Sequence, residues 1–415
     1  MLLRARLVLP VVRPAIEHGV VRITGDRIGF VGRSVDCPPV DSEPEVELGD
    51  AILLPGLINA HCHLDYTDMA GQILPAKLFT DWIKAITSAK NGLIYADFAR
   101  AWLNGAKMLE RTGTTTVADI ESVPELLPEV WEATPLRVFS FLEMTGVRSR
   151  RNPESIRRDA VEKVESLGHS RNSAGLSPHA PYSTVPELLR RTAAVARERG
   201  WRTVTHVAES ALEFEMFMHA RGEMFDWLQR NERDMSDCGL GSPVRHLEQN
   251  DSLDANLLMV HANMLAAGDA ELLGQRGVSV VHCPRSHAFF QHPRFPLEEL
   301  SAAGVNICLG TDSLATIAKI RGQPLELNLF AEMQTLTKRE PSLAPDTILR
   351  LATVNGARAL GMTGEIGELS EGGLADLVAI PFAGAASEAA EAVIHYRGNV
   401  MASMIAGEWA IAPPA

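Results

Sequence analysis

Six histidines stand where the chain reads as the end of a strand: His61 and His63 in AHCHLD, then His179, His206, His261 and His282, while Asp312 follows the last apolar run in GTDS. Two residues apart on an extended strand, His61 and His63 share one face and Cys62 turns to the other. Both imidazoles can therefore meet one metal ion. His206 and Asp312 would complete a set of three neutral nitrogens and one carboxylate, suited to Zn2+ or another borderline divalent cation and leaving room for a water. Glu209 lies three residues past His206 in THVAES, where a strand gives way to its loop. Its carboxylate can overhang the ion without binding it and carry a proton from water to a substrate nitrogen; the plainer role is that of an acid near a helix start, favourable to the dipole. His261 and His282 stay open between a second metal ligand, a partner of the attacking water and a structural residue. A lone buried histidine is ordinarily a satisfied core residue, but with 13 histidines in 415 residues a given strand end would seldom carry one. Six at corresponding places argue for convergence on one point.

The elements that would bring them together are strands alternating with helices. Eight apolar runs, 52–63, 114–120, 136–144, 174–179, 202–207, 257–261, 278–282 and 306–310, read as strands. Stretches such as 185–199, 270–276, 296–303 and 345–360 carry apolar residues at helical spacing. Eight such units over roughly 300 residues predict a (β/α)8 TIM barrel with its site at the C-terminal strand ends. A doubly wound open sheet is the alternative, weakened by the lack of GxGxxG after the first strand. Residues 1–50 instead show short strands at 7–12, 20–23 and 28–31 with a hairpin tip at Gly25 and Asp26. The stretch 370–412 has the same texture, with strands expected at 375–380, 392–395 and 402–406. The two ends are therefore expected to form one small β-sandwich domain, 1–55 with 364–415, around a barrel of 56–363. Cys62 is expected to pack toward the helices, and Cys283 beside His282 likewise.

Composition closes off several classes of function. The sum of 39 basic and 52 acidic residues is −13, which argues against a nucleic-acid or anionic-membrane surface and leaves a small-molecule substrate. Five scattered cysteines without CxxC spacing fit a reducing cytoplasm rather than a disulfide framework. Arg4, Arg6 and Arg13 interrupt the apolar N-terminus, so it lacks a signal-peptide core, and no run approaches the ~18 apolar residues of a membrane span. His246 and Glu248 match HxE, but no PCxxC partner segment accompanies them. HExxH, GxSxG and the P-loop are missing as well.

LPGLINAHCHLD (54–65), SPHAPYS (177–183), THVAES (205–210), VHANML (260–265), HCPRSH (282–287) and GTDS (310–313), in this order, resemble the amidohydrolase superfamily. They are most similar to the branch of guanine deaminase, methylthioadenosine/S-adenosylhomocysteine deaminase, aminofutalosine deaminase and the triazine chlorohydrolases. GELSEGGLADLVAI (367–380) resembles the segment that returns to the N-terminal sheet in this family. The resemblance implies His61, His63, His206 and Asp312 as ligands of one divalent ion, Zn2+ ahead of Fe2+. It also implies Glu209 as the proton-transfer residue, His261 beside the hydrolytic water, and His179 near the leaving group or ring. The strand-four segment lacks the bridging carboxylate or lysine of binuclear relatives, which favours a single ion. His287 stands where relatives often have Asn. A homodimer is common among proteins of this resemblance.

The chemistry so implied is hydrolytic deamination. Water acidified by the ion attacks a ring carbon bearing an exocyclic amine, Asp312 and Glu209 manage the protons, and ammonia leaves. Trp82 is expected as a stacking wall, Asp119 and Glu143 as hydroxyl or amine acceptors, and His282 as a further substrate contact. Arg148, with Arg150 and Arg151, could hold a substrate carboxylate, as in an adenine nucleoside with an acidic tail of the aminofutalosine kind. Two other readings remain: a chlorohydrolase or cyclic-amide hydrolase with the same ion site, told apart by its product, and a non-catalytic scaffold, which usually shows lost ligands.

Overall fold

The computed structural model describes residues 1–414 apart from 41, 148–151, 169, 170, 320, 321, 323 and 324. Eight parallel strands follow one another around a barrel: β1 (Leu57–Cys62), β2 (Thr114–Glu121), β3 (Arg137–Met144), β4 (Ser173–Pro178), β5 (Thr203–Val207), β6 (Leu257–His261), β7 (Ser279–His282) and β8 (Asn306–Leu309). Closure comes from the chain just past β8, where the amides of Thr311 and Asp312 donate to the carbonyl of His61 at 3.0 and 3.1 Å. Gly310 permits that approach, because a Cβ there would lie 2.8 Å from His61.

Alternation along the strands decides what faces inward. Ile58, Ala60, Ala118, Phe141, Val204, Leu258, Val260, Val281 and Cys308 form a single cluster, drawing on strands all around the barrel, so they fill its interior. Met259, Val280, Ile307 and Leu309 pack instead with helix residues such as Leu273 and Leu349. The barrel is thus a packed core, and functional groups are confined to its rim.

The termini build the second sheet, in the order Glu408–Ile411, Ala402–Ile405, Leu377–Pro381, Ala51–Pro55, Leu2–Val8, Ile16–Thr24, Arg27–Arg33, with Glu45–Glu47 beside Leu2–Val8. Gly25 and Asp26 form the expected hairpin tip, Gly25 with φ +62°. Ala51–Pro55 is the seam, parallel to Leu2–Val8 on one side and antiparallel to Leu377–Pro381 on the other. Among the described residues no helix is long and apolar enough to cross a membrane.

Four expectations need correction. The strand expected at 7–12 is Leu2–Val8, which stops short of Pro10, a residue with no N–H for the ladder. The run 52–63 is two strands in two sheets, because the chain changes sheet at Gly56, where a Cβ would meet the Thr115 side chain at 2.0 Å. Residues 392–395 lie in or end a helix, Ala389–Ile394, whose buried Ala389, Val393 and Ile394 cover the barrel. The helix expected over 345–360 is broken into Pro345–Leu351 and Val354–Leu360, since Thr353 leaves helical geometry with ψ −101°.

A buried ion pair locks sheet and barrel together. Arg137, at the start of β3, reaches Asp376 with Nε at 2.9 Å and a second guanidinium nitrogen at 3.2 Å, and Asp376 also accepts from the Ala406 amide at 2.7 Å. With side chains 7% and 1% exposed, removing one partner strands a charge. Arg137→Ala is expected to cost about 3–5 kcal/mol, read as a lower denaturant midpoint with the ion content of the folded protein unchanged; a midpoint equal to the parent's would refute the lock.

Candidate active site

At the rim the strands deliver imidazoles to one point. A register shift between Asn59 and Cys62 on β1 sets Cys62 opposite Asp119. Cys62 therefore packs outward near Leu64 and Trp102, and His61 and His63 face inward. On β5, His206 follows Val204 to the interior by alternation. The ring centroids of His61 lie 4.9 Å from those of both His63 and His206, and His63 Nε2 is 3.3 Å from His206 Nε2. Asp312 Oδ1 stands 3.7 Å from Nε2 of His61 and of His63. Its other oxygen accepts from Ser286 Oγ at 2.7 Å and Thr316 Oγ1 at 3.3 Å, which fixes the direction in which Oδ1 points.

The hydrogen bonds here suit a cation. His206 donates through Nδ1 to the carbonyl of His179 at 2.8 Å, so its Nε2 turns a lone pair inward, a relay typical of metal-ligating histidines. Both ring nitrogens of His61 are buried and, among the described residues, make no hydrogen bond. Imidazole nitrogens and a carboxylate converging in a buried place, with those of His61 unsatisfied, are costly unless a cation is shared. The nitrogens of His61, His63 and His206 lie within 4.8 Å of one another, as do the ligand atoms of Glu209, His261 and Asp312. The donor set fits a divalent ion.

Glu209 and His261 form the adjoining pair, with Glu209 Oε1 3.5 Å from His261 Nε2. Val260 is an interior residue, so alternation alone would turn His261 outward; its φ of +76°, followed by +48° at Ala262, swings it back to the site. Non-glycine residues in this backbone region are strained and cluster at functional sites. Burial pushes the Glu209 carboxyl well above its ordinary range, with Asp312 and Glu213 adding to it. Burial drives His261 down to about 3, aided by His61, His292 and His287 and opposed by Asp312. Burial also works against the Asp312 carboxylate, but His61, His261 and His63 overcome it and hold that group well below the usual range.

A cavity of about 650 Å³ opens from this floor, walled among others by Tyr66, Trp82, Glu143, His179, Tyr182 and Trp227. Trp82, Glu143 and His179 thus line one cavity with these groups, His179 with Nδ1 2.7 Å from Ser183 Oγ and Nε2 3.8 Å from Glu143. Arg148, Arg150 and Arg151 lie outside the described residues.

His282 does not line the cavity. On β7 the inward residue is Val281, so His282 points to the helices and stacks on Phe295 at 3.9 Å, with His287 at 5.3 Å. Cys283, expected to face the helices, packs with the interior cluster instead. Asp119 points outward and accepts from the Leu64 amide and the Trp102 indole, both at 2.9 Å, so it serves packing. Sequence reasoning missed Tyr66, Tyr182, Trp227 and Lys90 among the lining residues. Tyr66 stacks on His63 at 5.2 Å and its place beside HCHLD could have pointed to it; Trp227 lies on the helix Glu223–Arg230, whose apolar residues Met224, Phe225, Trp227 and Leu228 fall at helical spacing and could have been read as a helix, though not as a cavity wall.

Comparison with known proteins agrees with the geometry. The amidohydrolase family profile matches residues 52–410. The 5-methylthioadenosine/S-adenosylhomocysteine deaminase of Syntrophobacter fumaroxidans is 31% identical over 381 residues, 88% of this chain and 80% of that one. Aminofutalosine deaminase of Helicobacter pylori, solved with methylthio-coformycin, superposes with a TM-score of 0.87 at 20% identity, over 99% of this chain and 100% of the other. A zinc-bound adenosine deaminase from Xanthomonas campestris gives 0.83 at 24%, over 99% and 92%. At those identities the two structures speak to the fold.

Proposed function

The chain belongs to the amidohydrolase family, and from that premise we propose that it is a metal-dependent hydrolytic deaminase that removes the exocyclic amine of a purine nucleoside. The observation that carries this reading is the convergence of His61, His63, His206 and Asp312, with Glu209 and His261 beside them, on the floor of one cavity. Those four residues would hold the ion, and Zn2+ is our assignment for it, in keeping with three imidazoles and one carboxylate. When bound, a divalent cation supplies a water whose pKa lies near neutrality.

The chain's own groups do the rest. The Glu209 carboxylate, made more basic by burial, takes one proton from the attacking water and gives it to the ring nitrogen beside the carbon that loses its amine; Asp312 carries the second proton from the new hydroxyl to that amine, which leaves as ammonia while the carbonyl forms. His261, kept neutral by burial, faces the same point and steadies the oxygen that becomes the carbonyl. His179 and Glu143 meet polar groups of the substrate, and Trp82 and Trp227 provide apolar walls for its ring or tail. Arg148 remains in our proposal as a contact for an acidic tail. The four buried thiols, Cys62, Cys238, Cys283 and Cys308, suit a reducing compartment, and we place the protein in the cytoplasm.

The test is a screen of adenosine, 5-methylthioadenosine, S-adenosylhomocysteine and carboxylated adenine nucleosides for ammonia release and the accompanying ultraviolet shift. Ammonia in one-to-one yield with a 6-oxopurine product is expected. Halide from a chlorotriazine, or a ring-opened acid without ammonia, would transfer the protein to a sister activity on the same site.

A further inference from the structure

Glu209 has to be carried on a turn that holds it at a fixed place, and the turn is gripped in an unusual way. Ala208 has φ +52°, a conformation alanine adopts only under constraint. The wholly buried carboxylate of Glu213 accepts from the amide of Ala208 through one oxygen and from the amide of Glu209 through the other, both at 2.9 Å. From the opposite side Asn263 donates its side-chain amide to the Glu209 carbonyl and its backbone amide to the Ala208 carbonyl, each at 3.0 Å. The peptide unit ahead of Glu209 is thus held at both its amide and its carbonyl, and the unit after it at its carbonyl.

We propose that Glu213 is a positioning residue for proton transfer: it fixes the Ala208–Glu209 turn so that the Glu209 carboxylate stays poised beside His261, an inference that rests on the role given to Glu209 above. A plainer role is available, because Ser210 accepts from the Glu213 amide at 3.2 Å and caps the helix Ala211–His219. Capping, however, needs only Ser210 and the Glu213 backbone. The carboxylate reaches past the helix start to the turn that carries Glu209, and this separates the two roles.

Glu213→Gln distinguishes them. The amide keeps one acceptor and sets an NH2 against the other backbone N–H, leaving a buried donor unpaired, so kcat is expected to fall about 10- to 100-fold with KM within about twofold. Bound ion should be unchanged, and the amides of Ala208 and Glu209 should lose protection from hydrogen exchange. In a Glu209→Gln background the same substitution should cost no further activity, because its effect runs through Glu209. Ser210→Ala, which weakens the cap alone, should lower stability and leave kcat intact. Should Glu213→Gln fail to fold, Asn263→Ser frees the Glu209 carbonyl and must show the same dependence on Glu209. Parental kcat and parental exchange in Glu213→Gln, or an equal loss with and without Glu209, would overturn the proposal. Ammonia release by the parent protein is read alongside, so a silent parent counts against the deaminase reading and an active parent matched by its variant counts against Glu213.

Discussion

Glu209→Gln should leave the fold and the bound divalent ion in place and lower kcat for ammonia release by about 10³- to 10⁴-fold, the upper part of the range for a positioned acid-base group. The substitution is close to isosteric, and the side chain stands 3.5 Å from His261 Nε2, so little packing is disturbed. What disappears is a group able to carry a proton. Burial favours the protonated carboxyl, and glutamine can neither accept nor release one. Steady-state rates with elemental analysis of the same sample measure both halves of the expectation. A variant within tenfold of the parent would remove Glu209 from proton transfer.

Stripping the divalent ion should have a still larger effect, taking turnover to the uncatalysed background, which enzymes commonly exceed by about 10⁶-fold or more. Added Zn2+ should restore the parent protein. Asp312→Asn should resist that rescue, since asparagine can keep its oxygen on Ser286 and Thr316 but then sets an NH2 against the Ser313 amide and brings no charge to offset the ion. Full activity after exhaustive chelation, with ion loss verified, would dismantle the site as drawn.

Much of this was written in strand alternation. His61 and His63 flanking Cys62, and Glu209 three past His206, are local patterns, and local geometry obeys them. The same rule, carried one step further, would have excluded His282: Val281 is the interior residue, so its neighbour must face the helices. His261 goes the other way, reaching the site against alternation through a left-handed backbone that no side-chain pattern announces. Gly56 looks like one more residue of a continuous apolar run, and only the approach of Thr115 explains why the chain changes sheets there. The helix at Ala389–Ile394 was hidden for a related reason, since four to six apolar residues fit either period and its packing partners are distant. Trp227 and Tyr182 reach the cavity through tertiary packing alone.

The seam strand Ala51–Pro55 carries a consequence for biosynthesis. Its partner Leu377–Pro381 emerges from the ribosome only after the entire barrel has been made, roughly a minute or less later at ordinary elongation rates. Until then the nascent chain exposes an apolar edge with unanswered amides and carbonyls, the kind of surface to which other strands adhere. Chaperone demand should therefore track the lag between first and last segments, and a circularly permuted gene that encodes 364–415 ahead of residue 1 should shorten it.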